Sequence, residues 1–77
     1  MRWYNKDKTK MINLDDINGY VYISSLDKEN TIEIILGGTP YAFTGIEADE
    51  IYNNLLEMEK ARELLKNIGQ AKQLLNG

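Results

Sequence analysis

A change of apolar rhythm at Thr44-Gly45-Ile46-Glu47 constrains this chain more than any other feature. Before it, apolar residues alternate with polar ones in short runs. After it they recur every three or four positions, at Ala48, Ile51, Leu55, Met58, Ala61, Leu64, Ile68, Ala71 and Leu75, with Leu56 and Leu65 widening the stripe. The first period belongs to strands and the second to a helix. Thr44 stands three residues ahead of Glu47, the spacing of a capping box. Glu47, Asp49 and Glu50 suit the positive end of a helix dipole, and Lys60, Arg62, Lys66 and Lys72 suit its later turns. No proline interrupts residues 45–75, and Gly69 is the one weak helix former among them.

Length then limits the fold. One helix over residues 45–75 would reach roughly 45 Å at 1.5 Å per residue. A strand of about six residues covers only around 20 Å. The segment is therefore either one long helix whose end packs on another subunit, or two shorter helices that fold back near Glu57–Lys60 or Gly69. The three-four seam from Ala61 to Leu75 favours pairing between copies, so a homo-oligomer is expected.

The strand half reads as a series of reversals. Met11–Leu14 alternates, and Asp15-Asp16-Ile17-Asn18-Gly19 supplies an Asn-Gly turn signal. Tyr20–Ser24 is the next strand, followed by the polar reversal Asp27-Lys28-Glu29-Asn30. Thr31–Leu36 places Ile32, Ile34 and Leu36 on one face. Gly37-Gly38-Thr39-Pro40 turns the chain into a last short strand, Tyr41-Ala42-Phe43. Short reversals between neighbours predict an α+β fold: an antiparallel four-strand β-meander followed by a C-terminal helical segment. Residues 2–6 are a candidate extra strand. One sheet face should pack on the helix through Ile51, Leu55 and Met58. The other is expected to leave a tyrosine-rich surface open, since Tyr4, Tyr20, Tyr22 and Tyr41 all lie in the sheet half.

With 77 residues the chain builds one core and one domain, made of an arm (1–10), the meander (11–44) and the helical segment (45–75). It has no Cys and no His, which removes disulfides, thiol chemistry, the usual general base and the common zinc sites. Asp15 and Asp16 point apart on an extended backbone, and Asp27–Glu33 lacks the spacing of a calcium loop. These absences predict a protein that is not an enzyme, with no cofactor and no metal. A net charge of −3 argues against a dedicated nucleic-acid binder. Residues 1–10 show no signal-peptide pattern, and no apolar run approaches the roughly 20 residues of a membrane helix. A cytoplasmic location without membrane contact is expected.

The charge is unevenly placed. Arg2, Lys6, Lys8 and Lys10 face a single acid, Asp7, in an arm that also carries Trp3 and Tyr4. Aromatic faces beside cations can stack a base and meet a phosphate. The same residues also fit an edge strand whose aromatics are core. Gly37, Gly38 and Thr39 could offer an anion nest or simply a hairpin turn. Together with Tyr41 beyond the turn, the candidate ligand-binding residues are Arg2, Trp3, Tyr4, Lys6, Gly37, Gly38, Thr39 and Tyr41.

The runs Ile12–Ile17, Thr31–Leu36 and Tyr41–Leu55 resemble the short sheet-then-helix proteins of phages, prophages and mobile elements in low-GC bacteria. Some small phage proteins of that build are oligomeric anti-defence sponges for cyclic nucleotide or cyclic ADP-ribose immune signals. The resemblance carries no binding residue across position by position. It implies a homo-oligomer in the host cytoplasm that sequesters a small phosphorylated nucleotide at its subunit junctions. The alternative is a protein–protein interaction module that inhibits a host or phage partner protein through its Tyr-rich sheet face or its helical stripe.

Overall fold

Residues 2–4 and 11–13 each centre on one large apolar side chain, Trp3 and Ile12, that neither three-residue strand could bury alone. In a computed structural model, which describes the backbone of residues 1–76 and the side chains of residues 1–68, they bury it together. Strand β1 (Arg2–Tyr4) pairs antiparallel with β2 (Met11–Asn13), placing Trp3 opposite Ile12, both buried. Asn5 holds the connecting loop: its Oδ1 accepts from the Lys10 N–H at 2.8 Å and its Nδ2 donates to Thr9 at 2.9 Å. The basic arm is thus half of a hairpin.

A 3-10 turn over Leu14–Asp16 follows, with Asn13 Oδ1 accepting from the Asp15 N–H at 3.2 Å. Strands β3 (Ile17–Ile23), β4 (Thr31–Leu36) and β5 (Thr39–Thr44) then form a three-strand antiparallel meander. The fold is α+β, as the patterning predicts, but its strands divide into a two-strand and a three-strand sheet instead of one four-strand meander. The segment at residues 11–14 leaves the meander because Trp3 gives Ile12 a partner on the same buried face.

The Asn-Gly signal also behaves differently from the expectation. Asn18-Gly19 lies inside β3, where the register slips between the pairs Ile17–Leu36 and Gly19–Ile35. Asn18 is the residue left over, and its Oδ1 accepts the Gly37 N–H at 3.0 Å. The tight reversal belongs to Gly37 and Gly38, at φ +56° and +83°, which close a two-residue hairpin between Leu36 and Thr39.

Helix α1 (Gly45–Asn76) runs unbroken, so the one-helix alternative is the one observed. Gly45 makes the corner at φ +64°, and its N–H donates to the Asn30 carbonyl at 2.9 Å. The capping box is displaced: Glu47 meets Lys10 at 3.3 Å instead of turning back to Thr44. Thirty-two residues at 1.5 Å rise give about 48 Å, and the molecule measures 51 × 28 × 24 Å. The helix sets the long axis.

Helix and hairpin lie side by side on one face of the meander. There Ile32, Ile34, Leu36 and Phe43 meet Ala48, Ile51 and Leu55 from α1, and Trp3, Ile12 and Leu14 from the hairpin side. Met58 is half-buried at the margin. Each large aliphatic side chain in that core stabilises the fold by about 1.5–3 kcal/mol. The pairs Tyr20–Ile34 and Tyr22–Ile32 put both tyrosines on this same face. Tyr22 stacks on Tyr52 with centroids 3.8 Å apart, and Tyr20 meets Tyr52 edge-on at 6.2 Å. Of the four tyrosines expected on an open surface, Tyr20 and Tyr22 are thus covered by the helix, while Tyr4 and Tyr41 remain about half exposed. Val21 and Ile23, 60% and 59% exposed, stand on the open face with Ile35.

The tyrosine hydroxyls tie stability to pH. Tyr20 donates to Glu59 at 2.6 Å and Tyr22 donates to Asp49 at 2.7 Å. The Glu59 hydrogen bond, with burial second, pushes Tyr20 up to about 12. The Asp49 hydrogen bond likewise raises Tyr22. Both contributions are complete below pH ~10, the unfolded value, and are lost as pH rises toward the folded value. Asp49 is lowered by Asn30, which donates to it at 3.0 Å, and then by Tyr22. Its contribution is present above pH ~4 and is lost as pH falls through the depressed value. Thermal melts against pH should show a plateau that falls on both sides. Tyr20→Phe should flatten the alkaline fall, and an unchanged alkaline limb would refute the assignment.

Candidate functional site

Strand β2 pairs only with β1 and β5 pairs only with β4, so each keeps one unpaired edge. Both line an open groove. One part, about 580 Å³, is walled by Lys10, Met11 and Ile12 above and by Leu36, Tyr41 and Phe43 below. A second part, about 510 Å³, shares Met11, Ile12 and Leu36 and continues to Asp16, Asn18 and Gly37. A smaller cavity of about 170 Å³ lies between Leu14, Tyr20, Leu55 and Arg62 at the flank of the helix.

The groove has an apolar floor and a different charge at each end. Lys10 Nζ sits 5.8 Å from the Phe43 ring centroid and is already paired with Glu47. Asp16 lies toward the opposite end, exposed and in no ion pair among the described residues. Backbone polarity follows from the ladders. Hydrogen bonds from Asn5 N–H to the Lys10 carbonyl and from Leu14 N–H to the Met1 carbonyl bracket the hairpin. Alternation then turns the peptide groups of Met11 and Asn13 toward the free edge of β2. In the same way the Gly45–Asn30 bond and the closing pair Leu36–Thr39 leave Pro40, Ala42 and Thr44 facing outward from β5. Pro40, which has no N–H to offer, sits at an edge position.

The residues singled out in the sequence are dispersed by the fold. Trp3 is buried, its Nε1–H donates to Glu50 at 3.0 Å, and its ring meets Phe43 edge-on at 5.9 Å. It offers no face to a base. Arg2 and Lys6 are exposed and make no hydrogen bond or ion pair among the described residues. Tyr4, about half exposed, pairs with Met11 on the outer side of the hairpin. The Gly37 N–H is occupied by Asn18, which leaves the expected anion nest one donor short. Gly38 and Thr39 are exposed at the turn. Only Gly37 and Tyr41 of the eight reach the groove.

Met11, Ile12, Leu36 and Phe43, read from the sequence only as strand residues, line the groove together with Lys10, read there as one of the arm's phosphate-meeting cations. The signal available for them was the Trp3–Ile12 pairing, which sends Met11 outward and brings Lys10 alongside Phe43. Glu47, Asp49 and Glu50 were read as dipole charges. In the fold each reaches a different element: Lys10 after the β1–β2 loop, Asn30 with Tyr22 on the meander side, and Trp3 in β1. Among the described residues no cluster of potential metal ligands occurs and no helix is long and apolar enough to cross a membrane. Comparison with protein families, curated proteins and solved structures finds no match.

Proposed function

We propose that the protein is a non-enzymatic, self-associating protein-interaction module. The observation that carries this reading is the helix beyond the sheet. Leu64 and Leu65, 61% and 68% exposed, and Ile68 project from a part of α1 that no other element covers. At 100° per residue Leu64 and Ile68 are turned by about 140° and 100° round the helix from Ile51, whereas Leu65 lies within about 40° of it, on the line of Ile51 and Met58. Leu65 therefore continues the sheet-facing line past the end of the sheet, while Leu64 and Ile68 address a different neighbour. Helices in water draw most of their stability from packing an amphipathic face, so an uncovered stripe calls for a partner.

A second copy of the chain fits that role. Residues 57–68 carry Glu57, Glu59 and Glu63 against Lys60, Arg62 and Lys66, a balanced set that lets the segment pair with itself without net repulsion. The sequestration of a nucleotide has less support, because Trp3 is packed away and Arg2 and Lys6 stand apart from the groove.

Sedimentation equilibrium over a wide concentration range tests the proposal. The wild type should weigh more than its 8.9 kDa monomer. The Leu64→Glu, Ile68→Glu double variant should be monomeric with unchanged secondary structure, because those side chains are absent from the subunit core. A wild type that stays monomeric throughout overturns the reading. Titration with cyclic dinucleotides and cyclic ADP-ribose in the same buffer tests the other reading.

A further inference from the structure

The groove is bounded by two unpaired strand edges, and that combination carries information about its occupant. Proteins usually cover an exposed edge, because its free N–H and C=O groups are a template for another strand. Here β5 is a six-residue edge that runs beside an apolar trough instead of open solvent. Resting on the reading of the chain as an interaction module, we propose that the groove takes an extended peptide segment of a partner protein. The segment adds as a fourth strand on the free edge of β5. It alternates apolar and small polar side chains, with a basic residue toward Asp16.

Each part of that description comes from a feature of the groove. Ala42 and Thr44 turn both N–H and C=O outward from β5, while Pro40 contributes only its carbonyl. Pairing is therefore strongest over the half of β5 nearest Gly45. A strand laid there points every second side chain into the trough against Met11, Leu36, Tyr41 and Phe43, which prefers apolar groups at alternate positions. The intervening side chains lie on the same side of the sheet as Ala42 and Glu33, where small polar residues suit the exposure. Asp16 is in no ion pair among the described residues, whereas Lys10 is already held by Glu47. The net charge of −3 favours the same sign of ligand.

The outer sheet face around Val21, Ile23 and Ile35 is also apolar and open, but it offers side chains without backbone groups. It therefore specifies no conformation in what covers it.

The test uses the full chain carrying Leu64→Glu and Ile68→Glu, so that failure of self-association and failure of peptide binding are read separately. The probe is an acetylated, amidated octapeptide of alternating valine and threonine with a lysine at one end. Its competitors are the same peptide N-methylated at every second residue and a version ending in glutamate. Amide hydrogen exchange by NMR should show Ala42 and Thr44 slowing with the lysine peptide in proportion to the bound fraction, and not with the N-methylated one. Asp16→Lys should weaken the lysine peptide by about fivefold and improve the glutamate peptide by a similar factor. The proposal is overturned if Ala42 and Thr44 exchange at the free rate with saturating lysine peptide, or if the shifts map to Val21 and Ile23. It is equally overturned if those two amides are protected without peptide in a way that rises with protein concentration, since the edge would then pair with a second copy.

Discussion

Trp3→Ala should unfold the protein or leave it only marginally folded. The ring is buried, packs edge-on against Phe43, and shares a face with Ile12. Truncating a buried aromatic to alanine costs about 3–5 kcal/mol. A domain of this size rarely holds more than about 3–5 kcal/mol in total, so the loss is of the same order as the whole. Far-UV circular dichroism and urea titration should show loss of the cooperative transition, or a midpoint displaced far toward zero denaturant. Trp3→Phe preserves most of the packing and gives up the bond to Glu50, a net loss of about 1 kcal/mol for a hydrogen bond whose acceptor stays solvated. Arg2→Ala, one position away and exposed, should stay within about 0.5 kcal/mol of wild type. A folded Trp3→Ala with wild-type stability would mean that the hairpin does not dock as described. If Trp3→Ala instead kept its fold and lost nucleotide affinity, the arm would be a ligand site after all.

The Trp3 case shows how far the sequence could be read and where it stopped. Period and spacing identified the helix, the strands Thr31–Leu36 and Tyr41–Phe43, and the core contributions of Ile51 and Leu55, because each signal lies within one element. What local pattern could not assign was pairing between distant elements. Residues 2–4 and 11–13 join through the burial of Trp3 and Ile12, a relation between two three-residue strands too short to show a period. Asn18-Gly19 carried a turn signal that Gly37-Gly38 also carried. Which pair made the reversal depended on whether Asn18 could find a backbone donor across the sheet, and it finds Gly37. The two faces of β3 looked equally apolar. The carboxylates of Asp49 and Glu59 decided between them, because they give the hydroxyls of Tyr22 and Tyr20 partners that Val21 and Ile23 do not need. The groove was hidden for the same reason. It lies between elements, and its walls come from residues that individually read as the end of an arm and the middle of two strands.

The second large effect lies in the helix and tests its orientation. Ile51 and Ile46 are the same residue type on the same helix, five positions apart, which turns them about 140° from each other. Ile51 is completely buried and Ile46 is 77% exposed. Ile51→Ala should therefore cost about 2–5 kcal/mol through lost burial and an unfilled cavity against Ile32 and Ile34. Ile46→Ala removes the same atoms from water-facing surface and gains a better helix former, so its effect should stay within about 0.5 kcal/mol of zero. Urea titrations of both variants, fitted with a common slope, measure the difference directly. Equal costs at the two positions would mean that α1 is rotated about its axis from the arrangement described. Since Leu64 and Ile68 are placed by the same rotation, they would then no longer point away from the sheet, and the case for helix pairing between copies would fall with it.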